Sequence, residues 1–406
     1  MADGFLDFDG LRDALAAASF ERPPAFVSNA HITGLGVARA LAAHDVPVIA
    51  LDRVGDGAAP LSDAVDYAGE VTYPLDDREG WKEDIEELAA VLKHDPVAFG
   101  CMDEWVNAYA EVEPEGVRLP FAAYDAVDAV LDKSSLYRLA DDLGVPYPET
   151  VWLAETDAAE AVERLGLPLV VKPARKREGE EVLGTNVVEV ETHDDLRDVV
   201  AEAERAGIEI LAQEKVEATT GADRSLASYV PPSGEALGVV GNAVVRHPQG
   251  YGTSCVVRTR DEPDIAARAL DVIEAAGYWG ISEAEFVHDA ERDEYVLLDV
   301  NTRPWKWISL PVAAGFDLPY AAYADAVGES WSHPDGVEET TWVYLPDYLQ
   351  SLGAGGRDVL SRSEWVDLLG GGGERAVTGV FDPDDPEPTY MVVRQETGAE
   401  SYYCSC

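Results

Sequence analysis

Long apolar runs are missing from this 406-residue chain. No stretch of about 18 uninterrupted hydrophobic residues occurs, which is what a membrane-spanning helix requires. A basic flank followed by an apolar segment, the pattern of a secretory leader, is also absent near Met1. The chain therefore reads as cytoplasmic, with no membrane partner. Cysteine is scarce. Its four copies are Cys101, Cys255, Cys404 and Cys406, a spacing that supplies neither a disulfide framework nor a four-ligand zinc site. Positive charge is the third shortage: 30 basic residues face 78 acidic ones, a formal net charge of −48 spread along the whole chain. A field of that sign repels phosphate backbones and argues against nucleic acid as a partner. Dispersed carboxylates suit a protein kept hydrated at high ionic strength, where the Debye length shrinks to ~3 Å. The composition is like that of proteins from salt-accumulating halophiles. Lysine is the rarest cation, with seven copies: Lys82, Lys93, Lys133, Lys172, Lys176, Lys215 and Lys306. Where surface lysine is this uncommon, a lysine within an apolar strand calls for a local reason.

The 47% hydrophobic content over this length allows two or three domains with substantial cores. An amphipathic segment at 5–18 precedes a Pro23-Pro24 break. A strand is expected at 25–28, a loop at 29–36, a helix at 37–44 and a second strand at 47–51. A helix at 80–92 and a strand at 97–101, ending in Asp103-Glu104, continue an open parallel α/β pattern over residues 1–120. Gly34-Leu35-Gly36 invites a dinucleotide reading with Asp52 on the ribose. Arg39 stands where the third glycine of that fingerprint would allow helix and strand to pack closely, so a nicotinamide cofactor is disfavoured. The same strand-end loops could hold a substrate. Beyond them, a helix is expected at 125–143, then a βαβ-like stretch over 151–171 with a helix at 157–165 and a strand at 167–171, and further strands at 187–190, 209–214, 226–230 and 236–245. The Gly- and Pro-rich segments after residue 331 suggest a looser C-terminal extension with short strands, such as 389–394.

Chemistry is most visible from Glu285 to Pro304. The segment reads as two strands joined by a polar turn at 289–293, with Glu283 and Glu285 on one face and Asp299 and Asn301 on one face of the partner. An antiparallel return brings these oxygens together, a hard donor set suited to Mg²⁺. The Arg303 fork, two residues beyond Asn301, suits a phosphate or carboxylate. Lys172 ends an apolar strand ahead of a loop with Gly179 and Gly184-Thr185-Asn186, which could turn backbone N–H groups to phosphate. Lys133 starts a helix 39 residues earlier. Between these lysines and the hairpin, the strand ending in Gln213-Glu214-Lys215-Val216-Glu217 turns polar, as expected of a chain passing between two subdomains beside an adenine.

In order and spacing, Lys133, Lys172-Pro173, Gln213-Glu214, Glu285 and Asp299-Val300-Asn301-Thr302-Arg303-Pro304 resemble the ATP-grasp superfamily over roughly residues 120–325. Arg246-His247-Pro248-Gln249-Gly250-Tyr251-Gly252 and the segment 313–319 look most like its carboxylate–amine ligases similar to D-aspartate ligase. The resemblance implies an N-terminal parallel α/β domain (1–120), an ATP-grasp domain of mixed α+β type (121–330) and a C-terminal extension (331–406). Within the second, a small ATP-binding subdomain would cover about 125–210 and a metal and substrate subdomain 211–330.

It also implies ATP as cosubstrate, with a hinge at Gln213-Glu214, adenine at Glu214 to Val216, ribose near Glu217 or Asp223, and phosphates at Lys133 and Lys172. Two Mg²⁺, with Mn²⁺ as the alternative, would sit on Glu285, Asp299 and Asn301; Asp299 stands where the family places glutamate. The expected reaction activates a carboxylate as an acyl phosphate and joins it to an amine, with an amino acid among the substrates. Arg246, Arg303 and Lys172 are the expected catalytic residues. A carboxylase, a kinase and a non-catalytic nucleotide-binding protein are the alternatives, and a homo-oligomer is compatible with all of them.

The charge excess makes one prediction. The melting temperature should rise with KCl between roughly 0.1 M and 3 M, because screening shortens the reach of carboxylate repulsion. A thermal scan independent of KCl would remove the halophilic reading.

Overall fold

The computed structural model describes residues 4–175, 179, 182–250, 252–373, 375–396 and 398. Lys176, Arg177, Glu178, Glu180 and Glu181 of the loop after Lys172, together with Tyr251, Cys404 and Cys406, lie outside the described residues. Three sheets organise the rest. The first contains β1 (Phe5–Leu6), β2 (Ala25–Ser28), β3 (Val48–Asp52), β4 (Tyr67–Glu70) and β5 (Val97–Gly100) in the order β1-β4-β3-β2-β5, all parallel. Every residue of β2, β3 and β5 is buried. That explains why these segments read as continuous apolar runs without alternation.

The second sheet contains β6 (Thr150–Trp152), β7 (Leu169–Pro173), β8 (Val188–Val190) and β9 (Ile210–Glu214) in the order β6-β9-β7-β8, with antiparallel neighbours. The third runs through β10 (Asp223–Val230), β11 (Leu237–His247), β12 (Thr253–Arg260), β13 (Gly280–Asp289), β14 (Glu294–Asn301), β15 (Thr341–Val343) and β16 (Ala376–Thr378), in the order β14-β13-β10-β11-β12-β15-β16. Residues beyond 331 thus supply two strands to this sheet, with β15 antiparallel to β12 and β16 parallel to β15.

Packing divides the molecule unevenly. Val27, Leu35 and Phe99 of the first sheet and its helices share one apolar core with Ala227, Tyr229, Val257 and Trp342 of the third. The four-stranded sheet has its own core, built from Val151, Leu169, Val171, Leu196 and Ala212. Polar ties reinforce the first union. Arg39 reaches Asp385 Oδ2 at 2.8 Å and the Val380 carbonyl at 2.8 Å, and the same Asp385 accepts from the Ser62 hydroxyl at 2.5 Å. No helix among the described residues is long and apolar enough to cross a membrane.

Several local expectations are corrected. The amphipathic segment at 5–18 divides into two elements: Phe5–Leu6 pairs with β4, and the helix Phe8–Ala17 begins after Asp7, whose carboxylate accepts from the Gly10 N–H. The expected loop at 29–36 is mostly helix, Ile32–Ala42. Gly34 and Gly36 sit inside it because neighbours approach too closely for a side chain: a Cβ on Gly34 would lie 2.7 Å from the Asn29 carbonyl oxygen, and one on Gly36 2.7 Å from Ile308 Cγ2. Residues 125–143 form two helices, Tyr124–Leu131 and Lys133–Leu143, broken at Asp132, whose extended backbone and side chain cap the second. The expected strand at 389–394 lies within the helix Glu387–Glu396. There the buried residues are Pro388, Met391 and Val392, a helical spacing, while Tyr390 and Val393 are exposed.

The close contact at Gly36 carries a testable consequence. Gly36→Val should cost about 1–3 kcal/mol in denaturant unfolding, the usual range for overpacking. Adding Ile308→Ala should recover part of that loss, because the clash needs both side chains. Strict additivity of the two substitutions would show that this contact is not tight.

Candidate active site

The site begins with strand register. Pairing of β13 with β14 sets Glu283 opposite Asn301 and Glu285 opposite Asp299, with a bulge after Glu285. Alternation sends these four polar side chains to one face, while Ala284, Phe286 and Val300 enter the core on the other. The bulge leaves Leu298 without a direct cross-strand partner, and its carbonyl accepts from the Tyr137 hydroxyl at 2.8 Å. Tyr137 belongs to the helix that starts at Lys133, so this bond ties that helix to the hairpin.

Lys133 Nζ lies 2.7 Å from Asp299 Oδ1. Lys172, on β7, enters the same space from the four-stranded sheet. Burial, aided by the like charge of Lys133, pushes the Lys172 ammonium down to about 8. Burial and the neighbouring Glu285 carboxylate push Glu283 up to about 8. The Asn301 amide nitrogen donates to Glu283 Oε2 at 3.1 Å and to Glu285 Oε1 at 3.2 Å.

Two arginine forks frame this cluster. Arg246, on β11, donates from Nε to Asp223 Oδ2 at 2.6 Å and from Nη2 to Glu285 Oε2 at 3.3 Å. Arg303 is buried and donates from Nε to Asp103 Oδ1 at 2.5 Å. Asp103 begins the helix Asp103–Val112 that follows β5, so the first sheet delivers a carboxylate to the edge of the site. These groups wall a cleft of about 360 Å³ between the second and third sheets. Lys133, Asp299 and Asn301 also wall a smaller cavity, of about 60 Å³, with Asp103, Glu104 and Asn107.

The structure brings together Lys133, Lys172, Gln213, Glu214, Lys215, Val216, Asp223, Arg246, Glu285, Asp299, Asn301 and Arg303, all on the cleft. Glu217 is the exception. It is exposed between Val216 and Ala218, which do line the cleft, and its carbonyl accepts from the Ala290 N–H. Asp223 lines the cleft and its Oδ2 accepts from Arg246, so it also positions a cation. At the end of β9, the Glu214 side chain bonds Arg292 and the Glu149 N–H, and the next residue, Lys215, bonds Glu189 at 2.8 Å. Backbone is what this segment has to offer a base. Asp52, considered above as a ribose partner, is buried and accepts from the Ala30 and Arg53 N–H groups.

Sequence reasoning overlooked Trp305, Lys306 and Trp307 on the cleft wall. Lysine scarcity was the available signal for Lys306, since four of the seven lysines line this one cleft: Lys133, Lys172, Lys215 and Lys306.

The donor set fits Mg²⁺. Among the described residues no three His, Cys, Asp or Glu side chains already form a coordination shell. Mg²⁺ characteristically takes one or two carboxylates and completes its shell with nucleotide phosphates and water. Glu285 and Asp299 supply such carboxylates, and rotation of the Asn301 amide would present its oxygen.

No protein-family model matches the chain. Over 209 residues it is 27% identical to the C-terminal section of the carbamoyl phosphate synthase large chain of Methanopyrus kandleri, covering 49% of this chain and 37% of that one. Over 189 residues it is 34% identical to the D-alanine–D-alanine ligase of Burkholderia cenocepacia, covering 43% of this chain and 57% of that one. The chain thus spans about half the length of the curated relatives it matches. The structure superimposes on N5-carboxyaminoimidazole synthetase from Staphylococcus aureus with a TM-score of 0.64 at 15% identity, over 83% of this chain and 86% of that one. The architecture is the ATP-grasp fold preceded by a parallel α/β domain.

The lowered Lys172 sets a pH dependence for nucleotide binding. Its folded-state value, about 8, lies below the usual lysine value, so the ammonium is present below pH 8 and lost above it. ATP should bind more weakly as pH rises through that region. Glu283 titrates in the same range, so calorimetric titration of wild type against Lys172→Met should show a steeper slope in wild type than in the variant. A slope of equal steepness in both would remove Lys172 from the phosphate site.

Proposed function

We propose that this chain is an ATP-dependent carboxylate–amine ligase that forms an amide through an acyl phosphate, releasing ADP and phosphate. The observation that carries this reading is the convergence of two lysines, two arginine forks and the Glu285/Asp299/Asn301 cluster on one cleft. The names of its relatives support it, since a D-alanine–D-alanine ligase and a carbamoyl phosphate synthase are among them.

In this reading, the backbone at Lys215 and Val216 takes the adenine. The triphosphate draws Lys133 away from Asp299 and engages Lys172, so phosphate oxygens replace a carboxylate as the partner of Lys133. Glu285, Asp299 and Asn301 would then hold Mg²⁺, which supplies charge neutralisation on the transferring phosphoryl group. A carboxylate oxygen of the acid forms a bond to the γ-phosphorus as the bond to the ADP oxygen breaks. Lys172 offsets charge on the equatorial oxygens throughout. Arg246 and Arg303 steady the resulting acyl phosphate with N–H groups pre-aimed by Asp223 and Asp103. The amine adds to the acyl carbon, phosphate departs, and the amide remains. No protein nucleophile is needed. Burial pushes the Cys101 and Cys255 thiols up, which keeps them in the inert protonated form.

An amino acid is the proposed substrate class, in the manner of D-aspartate ligase. The protein is proposed to work in the cytoplasm of a salt-accumulating cell, as its composition suggests.

Hydroxylamine provides the test. With ATP, Mg²⁺ and the correct acid, it should trap a hydroxamate, and omission of either ATP or acid should abolish the product. An ¹⁸O-labelled acid should pass one label to released phosphate. Release of AMP and pyrophosphate, or amide formation without label transfer, would exclude γ-phosphoryl activation. A phosphorylated acceptor accumulating as the final product would assign a kinase instead.

A further inference from the structure

Lys306 lies outside the machinery just described, yet it shares the cleft. Its side chain is largely buried, with 10% exposed. Nζ donates to Asp347 Oδ2 at 2.6 Å and to Thr253 Oγ1 at 2.9 Å, and stands 4.1 Å from the centroid of the Tyr344 ring. Trp305 and Trp307 flank it in sequence, their rings edge to face at 5.0 Å. Asp347 lies in the helix Leu345–Gly353, so the segment beyond residue 331 supplies the counter-ion.

Burying an ion pair in such aromatic surroundings is a poor route to stability. Desolvation offsets the attraction, and apolar residues of similar volume do as well or better. In a chain with seven lysines, this one is held where a ligand can reach it. Its position relative to Arg246 suggests why. Arg246 pairs across the sheet with Ser254 and donates from Nη1 to the Gly252 carbonyl at 3.3 Å, while Lys306 bonds Thr253. The two cations therefore grip the same three-residue segment, with Arg246 next to Glu285 and Lys306 farther along the cleft wall.

We infer that Lys306 holds a second, non-reacting carboxylate of the non-nucleotide substrate, which makes that substrate a dicarboxylic acid or an amino acid. The inference rests on the ligase reading of the cleft. An incoming carboxylate takes the place of the Thr253 hydroxyl oxygen as acceptor, exchanging a neutral hydrogen bond for a charge-assisted one. The Thr253 hydroxyl, which donates to Asp347 Oδ2 at 3.5 Å, can turn to donate to the same carboxylate. Asp347 keeps its bond to the ammonium and so offsets part of the positive charge that the ligand meets. Two sources share this chemistry: the acid undergoing activation and the amine acceptor.

Equilibrium binding to the full chain saturated with Mg–AMP-PNP distinguishes them. The probes are succinate, aspartate, alanine and ethylamine. Wild type should bind at least one carboxylate probe and not ethylamine. Succinate binding without alanine binding assigns the acid; alanine binding without succinate binding assigns the acceptor; binding of aspartate, or of both, supports the shared chemistry. Lys306→Met should weaken the bound probe at least tenfold and leave Mg–AMP-PNP affinity unchanged. Asp347→Asn removes the internal competitor for the ammonium and should strengthen the probe, an effect that a purely architectural ion pair would not produce. It also serves as the reading if Lys306→Met does not fold. Failure of all three carboxylates to bind wild type, equal binding by Lys306→Met, or weaker binding by Asp347→Asn overturns the inference. Mg–AMP-PNP binding is measured independently, so loss of nucleotide binding in wild type would sink the ligase reading, whereas retained nucleotide binding with any overturning result sinks only the role of Lys306.

Discussion

The pairing of β13 with β14 is the constraint from which the site follows. With Glu283 opposite Asn301 and Glu285 opposite Asp299, four oxygen-bearing side chains share one face. Ala284, Phe286 and Val300 are buried on the other. A slip of one residue would drive carboxylates into the core and expose the aromatic ring, so the hydrophobic face enforces the polar one. The bulge at Leu298 is absorbed by the Tyr137 hydroxyl, which fastens the Lys133 helix to the strand that bears Asp299. The 2.7 Å approach of Lys133 to Asp299 depends on that fastening as much as on charge.

Charge in the cleft is paired before any ligand arrives. Lys133 has Asp299, Arg246 has Asp223 and Glu285, and Arg303 has Asp103. These pairs are weak evidence for stability, because removing ions from water costs about as much as their attraction returns. Their value lies in direction. A guanidinium already bonded on its Nε edge has fewer orientations to lose when an anion reaches its remaining N–H groups. Asp103 adds a second consequence. It belongs to the first sheet's following helix, so the position of Arg303 depends on how that sheet seats against the third. The shared core and the Arg39–Asp385 ties make that seating firm. Lys172, by contrast, rides on a sheet with a separate core.

Much of this was legible in the sequence where a local pattern and the tertiary environment agree. The strand at 25–28 is bounded as expected, the hairpin from Glu285 shows the expected facing of its carboxylates, and Lys172 ends its apolar strand. Legibility failed where distant residues decide. Gly34 and Gly36 look like loop glycines, yet Asn29 and Ile308 demand their missing side chains within a helix. The run at 389–394 is rich in residues that favour strands, but Met391 and Val392 are drawn in together on a helical face. Nothing in the segment of Asp223 shows that Arg246, on the adjacent strand, bonds its carboxylate. Pairing between side chains far apart in sequence leaves no periodicity to read.

The region beyond residue 331 shows the same limit and what lies behind it. Its glycines and prolines suggest a loose appendage, because β15 and β16 are three residues each and carry too little pattern to register alone. They exist as strands because β12 offers an edge, and once they have paired, the helix Leu345–Gly353 is placed beside the cleft. Asp347 then meets Lys306, which the chain delivers three residues beyond Arg303. A residue just past β14 and one from the C-terminal segment thus form a unit that neither segment encodes by itself. If Arg303 steadies the acyl phosphate and Lys306 a second carboxylate, as proposed, their spacing along one backbone limits how far apart those two anionic groups can be. On this reading, the C-terminal region contributes to substrate choice through the sheet edge it completes.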